Sequence, residues 1–199
     1  GQIASAPVDF CYTEVWEHSN TNGYAIFSDI ITNNAAWSSG KQTVLAAYLN
    51  YDYGQKGRGY FNTPGILMAT AAASAWGGTI LQMGEHMLCH EYFPDDNLTM
   101  SGELKRAMIR YYDFAVAYEN LLRPEVPAEV NSDWFGVDIT STHDSCVFNQ
   151  WGPQFNQIAT VGRHVGTRDV IHLLSYRNAT HLDWCDSEGD QAPQSMLRE

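Results

Sequence analysis

The chain has 199 residues, 44% hydrophobic, 13% aromatic and 17% charged, a globular composition sized for one ordinary domain or a piece of a larger one. Six Trp, 11 Tyr and 8 Phe supply far more buriable surface than a disordered tract carries, which excludes disorder. Eleven Lys+Arg against 23 Asp+Glu give a net charge of -12; this argues against a nucleic-acid partner, since phosphate binding runs on clustered cations.

In chain order, Val8 to Tyr12 reads as a short strand running out at Thr13-Glu14-Val15-Trp16. Tyr24 to Asn33 reads as a helix, with Ile26, Phe27, Ile30 and Ile31 at helical spacing. After Ser38-Ser39-Gly40, Thr43 to Leu49 forms a second buried strand, ending at Asn50-Tyr51-Asp52-Tyr53. A loop with Gly54, Gly57 and Gly59 leads to Asn62-Thr63-Pro64, a helix start with a capping side chain and a first-turn proline.

Gly65 to Gly84 carries no charge and is long enough to span a bilayer. The proline-led start and the Gly77-Gly78 break divide it into a buried helix and a buried third strand, Thr79 to Met83, ending at Gly84-Glu85-His86. No membrane partner is expected. A loop from His90 to Met100 precedes a helix capped by Ser101, with Leu104, Met108, Tyr111, Tyr112, Ala115 and Leu122 as its inward stripe and Arg123-Pro124 as its stop.

Near-continuously apolar strands alternating with helices mean parallel βα units, hence an α/β fold. Without GxGxxG or GxxxxGK[ST] after a strand, the barrel is favoured over the open doubly wound sheet. Residues 1–123 are assigned to this part. From 124 to 199 a linker is followed by short β runs, Trp134 to Val137, Gln157 to Val161 and Asp169 to Leu174, divided by Gly162, Gly166 and Thr167. This part reads as hairpins.

Each parallel strand ends in a carboxylate beside aromatics or histidine: Glu14 with Tyr12 and Trp16, Asp52 between Tyr51 and Tyr53, Glu85 next to His86. The C-terminal ends of parallel barrel strands share one face, where the active site of this architecture is built. Carboxylates and rings converging there suit a sugar, with rings against its apolar face and carboxylates on its hydroxyls or in acid/base work. A metal site is the chemical rival, from Glu85, His86, Cys89 and His90, but Met87 departs from HExxH and a further ligand set is lacking nearby. No metal and no cofactor are expected. His143, His164, His172 and His181 read as surface or packing residues, and the four scattered cysteines as no disulfide framework.

Phe10-Cys11-Tyr12-Thr13-Glu14-Val15-Trp16, Thr43 through Asp52, Tyr60-Phe61-Asn62-Thr63-Pro64, Gly84-Glu85-His86-Met87-Leu88 and Glu91-Tyr92-Phe93-Pro94 resemble glycoside hydrolase family 66, the dextranases and cycloisomaltooligosaccharide glucanotransferases. The likeness continues through Tyr111-Tyr112-Asp113-Phe114, Asn120 to Arg123 and Asp183-Trp184. It implies a retaining enzyme that cleaves α-1,6 links of dextran on a (β/α)8 TIM barrel followed by a β-sandwich. The chain would hold the last three βα units and the start of the β domain, as a fragment lacking the nucleophile strand. Glu14 is then the acid/base. The resemblance further implies that Tyr12, Trp16, Asn50, Tyr51, Asp52, Glu85 and His86 bind the α-glucan and that the parent is extracellular. The region around Trp76 to Pro94 lacks an inserted module, which leans toward dextranase over the cyclising activity; a non-catalytic glucan-binding domain is the alternative of another class.

Overall fold

Residues 6–16, 23–82, 97–123, 130–131 and 147–194 are described by a computed structural model. The first part runs β1 (Phe10–Val15), α1 (Ala25–Ser38), β2 (Gln42–Ala47), α2 (Tyr51–Gln55), β3 (Gly59–Tyr60), α3 (Thr63–Ala75) and β4 (Thr79–Ile80). Next come β5 (Leu98–Thr99), α4 (Gly102–Ala117) and α5 (Glu119–Leu122). The β part holds β6 (Val130–Asn131), β7 (Val147–Gln150), β8 (Gln157–Val165) and β9 (Arg168–Ser175).

The central sheet is parallel, in the order β1-β2-β4. Side chains alternate along a strand, so the register Glu14↔Ala46 and Val15↔Ala47 sorts residues between two faces. Val15, Leu45, Ala47 and Ile80 join the main core with Phe27 and Ile31 of α1 and Ile66, Ala69 and Ala73 of α3. Both crossover helices therefore pack on one face. Ala46 and Tyr48 lie in a separate cluster with Tyr51 and Leu81, and Glu14 shares the face of Ala46.

The parallel βα character agrees with the sequence reading, while several boundaries are corrected. β1 extends to Val15, because Thr13, Glu14 and Val15 continue the ladder with Leu45, Ala46 and Ala47; Glu14 is thus within the strand rather than after it. β2 ends at Ala47, since Tyr48 and Leu49 already turn toward α2, a short helix where a loop was expected. β4 is two residues long, and Met83, like Gly84, Glu85 and His86, lies outside the described residues, as does the expected run Trp134 to Val137. β3 and β5 form a small parallel pair, Gly59↔Leu98 and Tyr60↔Thr99, within segments read as loops.

α3 starts where Pro64 predicts and is buried nearly all round, lying between the sheet, α1, α4 and β9. That enclosure accounts for the charge-free run, since a helix covered on every side needs no polar stripe. No helix among the described residues is long and apolar enough to cross a membrane. Ser101 caps α4 by accepting from the Leu104 N–H at 3.0 Å. Leu104, Met108, Ala115 and Leu122 are buried as read, but Tyr112 is half-exposed and bonds Gln82 Oε1 at 2.5 Å.

β8 and β9 form a hairpin closed at Gly166-Thr167, with Gly166 in the left-handed region at φ 62°. Gly162 lies inside β8 and divides nothing. β7 pairs with β8 in parallel, and β6 pairs with β8 antiparallel. The β part is not packed apart from the rest: Ala159, Tyr176, Trp184 and Cys185 complete the same core as Phe27 and Leu45. Arg163, buried in β8, donates Nη1 to the Leu122 carbonyl at 2.6 Å, and burial followed by nearby Arg123 lowers its pKa to about 10. His172 on β9 is likewise lowered to about 4 by burial and then Arg163, so it is neutral at neutral pH.

Phe27 is fully buried and tilted against Trp184 with ring centroids 5.5 Å apart. Phe27→Ala is expected to cost about 3–5 kcal/mol, the range for an emptied aromatic site. Thermal unfolding would register the loss, with a red shift of Trp184 emission in the folded variant; an unshifted midpoint would contradict this core assignment.

Candidate functional site

Glu14 stands on the face of the sheet opposite the helices, next to last in β1. Its two oxygens have separate donors: Tyr12 Oη gives a hydrogen bond to Oε1 at 3.0 Å and Trp16 Nε1 to Oε2 at 2.8 Å. Alternation along the strand brings residues 12, 14 and 16 to one side, so the spacing itself builds the grip. Trp16 stacks on Tyr48, with centroids at 4.3 Å and planes at 27°. Tyr48 in turn meets Tyr51 edge-on at 6.1 Å. A continuous line of rings thus joins the carboxylate to α2, whose first turn carries Asp52. The Tyr12 hydroxyl is raised above its ordinary value, by desolvation first and then by Glu14. Tyr12 and Trp16 are partly exposed, as a surface that receives a ligand must be.

Asn50 is in a different situation. It is fully buried and occupies the left-handed region at φ 57°, a conformation Asn tolerates better than most residues. Its N–H donates to the Cys185 carbonyl at 2.7 Å and its carbonyl accepts from the Gly54 N–H at 2.8 Å. Its Nδ2 donates to the Asp186 carbonyl at 2.8 Å, and its Oδ1 accepts from the Asn62 N–H at 3.0 Å. This amide is engaged with the protein and closed from solvent.

The partner of this turn is Asp186, which is buried. Its Oδ1 accepts from the Asp190 and Gln191 N–H groups at 3.0 and 3.1 Å and faces His181 Nε2 at 3.0 Å. Its Oδ2 accepts from Asn62 Nδ2 at 2.8 Å. Asn62 therefore does not cap α3 with its side chain, as its position before Pro64 suggested; it binds Asp186 instead. A Cβ on Gly65 would fall 2.2 Å from Asp186 Oδ2, so glycine there admits the carboxylate to the first turn of α3, where a negative charge is favourable. Burial opposes ionisation of Asp186, but the bonds from His181, Asn62 and Asn50 outweigh it and lower its pKa. His181 is raised, chiefly by its bond to Asp186, against the desolvation that lowers it. His181, Asp186 and Asp190 bring ligand-type atoms within 4.8 Å, yet Asp186 Oδ1 is already shared among three partners. Cys185 is a buried thiol pushed up to about 12 by burial first, and is unreactive on that ground.

Of the residues singled out in the sequence, Tyr12, Glu14 and Trp16 are brought together, Tyr51 and Asp52 follow along the ring line, and Asn50 is turned inward. Glu85 and His86, with Cys89 and His90, lie outside the described residues. Sequence reasoning missed Tyr48 as the stacking partner of Trp16 and Asp186 as the buried hub, and it classed His181 as surface or packing. The dense run of acids from Asp183 to Asp190 was the available signal.

The fold defines a parallel βα protein with a β sheet packed into the same core. The chain belongs to glycosyl hydrolase family 66, whose family model matches residues 1–198. Two cycloisomaltooligosaccharide glucanotransferases of Niallia circulans are each 30% identical, over 122 and 155 residues, or 59% and 70% of this chain. The chain spans only 12% and 14% of their lengths. In structure it is similar to a Paenibacillus cycloisomaltooligosaccharide glucanotransferase solved with cycloisomaltoheptaose, at a TM-score of 0.75 and 18% identity. That match covers 98% of this chain and 44% of the other.

The His181–Asp186 pair predicts a pH dependence of opposite sign at its two ends. His181, raised above 6.5, contributes stability that is complete below that value and lost as pH rises through its folded pKa. Asp186, lowered below 3.8, contributes above that value and is lost as pH falls through its folded pKa. Unfolding midpoints followed across pH should therefore fall on the alkaline side of 6.5, and His181→Gln should remove that slope. A variant with the wild-type slope would contradict the assignment.

Proposed function

We propose that this chain carries the acid/base part of a retaining endo-dextranase acting on α-1,6-glucan, with the nucleophile aspartate on a strand of the longer parent outside these residues. The observation that carries the reading is Glu14 held between Tyr12 and Trp16 on the helix-free face of a parallel sheet. Family membership supports a glycosidase-type enzyme, and the small share of the relatives' length that the chain spans supports a fragment. The sheet order β1-β2-β4 with both crossover helices on one face supports three successive units of a (β/α)8 wall.

The two donors on Glu14 are chemically unlike. An indole N–H only donates, so Oε2 beside Trp16 stays an acceptor in either protonation state. A phenol donates or accepts, so Tyr12 can stay bonded to Oε1 in both states of the carboxyl group, as donor to the ionised form or acceptor from the neutral one. Glu14 protonates the glycosidic oxygen as its bond to the anomeric carbon breaks, a carboxylate about 5 Å from Glu14 takes that carbon as a covalent glycosyl ester, and Glu14 then removes a proton from the water that displaces the ester. Trp16 on Tyr48 offers an apolar shelf for a pyranose face. Tyr51 and Asp52, with Glu85 and His86, are assigned to the sugar hydroxyls, whereas Asn50 acts by shaping the turn before them. The residues named need no metal or cofactor, and an extracellular parent fits a polysaccharide substrate. The names of the relatives favour a second reading, in which a glucan hydroxyl replaces water and the product is cyclic.

Glu14→Gln in the complete enzyme should lower kcat on dextran by about 10²–10⁴, the usual worth of a general acid, while dextran binding persists. Unchanged turnover would overturn the assignment, and a wild type that binds dextran without cleaving it would point to a binding domain. Linear isomaltooligosaccharide products support the hydrolase and predominantly cyclic ones the transferase. Residues 1–199 alone should be inactive; hydrolysis by them would show that the nucleophile is within the chain.

A further inference from the structure

The proposed function leaves unexplained why a loop from the β part is buried against the turn that follows β2. All four polar groups of Asn50 are committed, two of them to Cys185 and Asp186, far away in sequence. The carboxylate of Asp186 reaches past Asn50 to Asn62, whose own N–H returns to Asn50 Oδ1. Cys185 Sγ also donates to the Tyr48 carbonyl at 3.4 Å. The segment from Tyr48 to Asn62 is thereby pinned at both ends by Cys185 and Asp186. Between those ends lie Tyr51 and Asp52, and at its start stands the ring beneath Trp16.

The acidic loop is itself braced. Asp183 accepts from the Cys185 and Ser187 N–H groups at 3.1 Å and from Ser187 Oγ at 2.7 Å. Gln191 ties the loop to the His181 carbonyl at 2.9 Å and accepts from the Thr180 N–H at 2.9 Å. Gly189 at φ 69° runs against the Tyr53 ring, where a Cβ would come within 2.7 Å. A loop made rigid on its own account and closed onto a second loop transmits position to it.

We infer that Asp186 is a positioning residue: by fixing the left-handed turn at Asn50 it sets where Tyr48, Tyr51 and Asp52 stand relative to Glu14. This rests on the glucan reading above. It assigns the β part a role in the site of the βα part without any contact with substrate.

The test compares wild type, Asp186→Asn, Asn50→Gly and Asp169→Asn in the complete enzyme. Hydrogen exchange is followed over residues 48–62, and kcat and KM are measured on dextran and on isomaltooligosaccharides. Asp186→Asn keeps the shape and removes the charge. Asn50→Gly keeps the left-handed backbone and cuts the tie from the other end, so it serves if the first variant fails to fold. Both should exchange faster over 48–62 and raise KM about tenfold, equivalent to about 1.4 kcal/mol of lost binding, with kcat changed much less. Asp169→Asn, on the exposed hairpin, should match wild type in both. A lower midpoint with unchanged KM would make Asp186 merely structural and overturn the inference, as would unchanged exchange over 48–62. A wild type inert toward both glucans would overturn the functional reading instead, a result distinguishable from an active wild type with an indifferent Asp186→Asn.

Discussion

The buried carboxylate of Asp186 is the constraint on which the remaining architecture depends. A charge taken out of water is costly unless its lone pairs are met, and here backbone N–H groups, an asparagine amide and a histidine meet them. Those partners come from α3's entry and from the acidic loop itself, so satisfying one charge fixes several elements at once. Gly65 follows from the same need, since any side chain there would collide with the carboxylate. So does the placement of Asn50, whose strained φ is held by bonds on every side.

From that constraint the candidate site takes its form. β1 and β2 lie in a register that sends Val15 and Ala47 into the helix-packed core and Glu14 and Ala46 to the opposite face. Glu14 would be a loosely held surface acid without the rings of Tyr12 and Trp16. Trp16 is oriented by Tyr48, and Tyr48 sits where the pinned turn begins. The chain of dependence thus runs from a buried acid in the β part, through a turn, to an aromatic stack and a carboxylate. The common core of Phe27, Leu45, Tyr176 and Trp184 gives that chain a rigid backing.

The chain belongs to glycosyl hydrolase family 66, and glucan cleavage is the activity proposed for it. On the proposed reading, Glu14 is one carboxylate of the pair that retaining chemistry requires, with the stacked rings of Trp16 and Tyr48 beside it.

Much of this was legible in the sequence. The apolar strands, the Pro64 start of α3, the Ser101 cap of α4 and the 12-14-16 spacing around Glu14 are short-range features, dictated by local sterics and by the two-residue period of a strand. Those residues determined the parallel βα class and the grouping of Tyr12, Glu14 and Trp16, while the register with β2 set Glu14 within β1 on the face opposite the helices. Only tertiary structure decided that Asn50 points inward, that Asn62 leaves its cap for Asp186, that Tyr48 carries Trp16 and that His181 is paired rather than idle. Each of these is a contact across a long stretch of chain, and no local pattern encodes which distant polar group will reach a buried donor. Burial makes such pairings obligatory, and the path of the folded chain selects the partner.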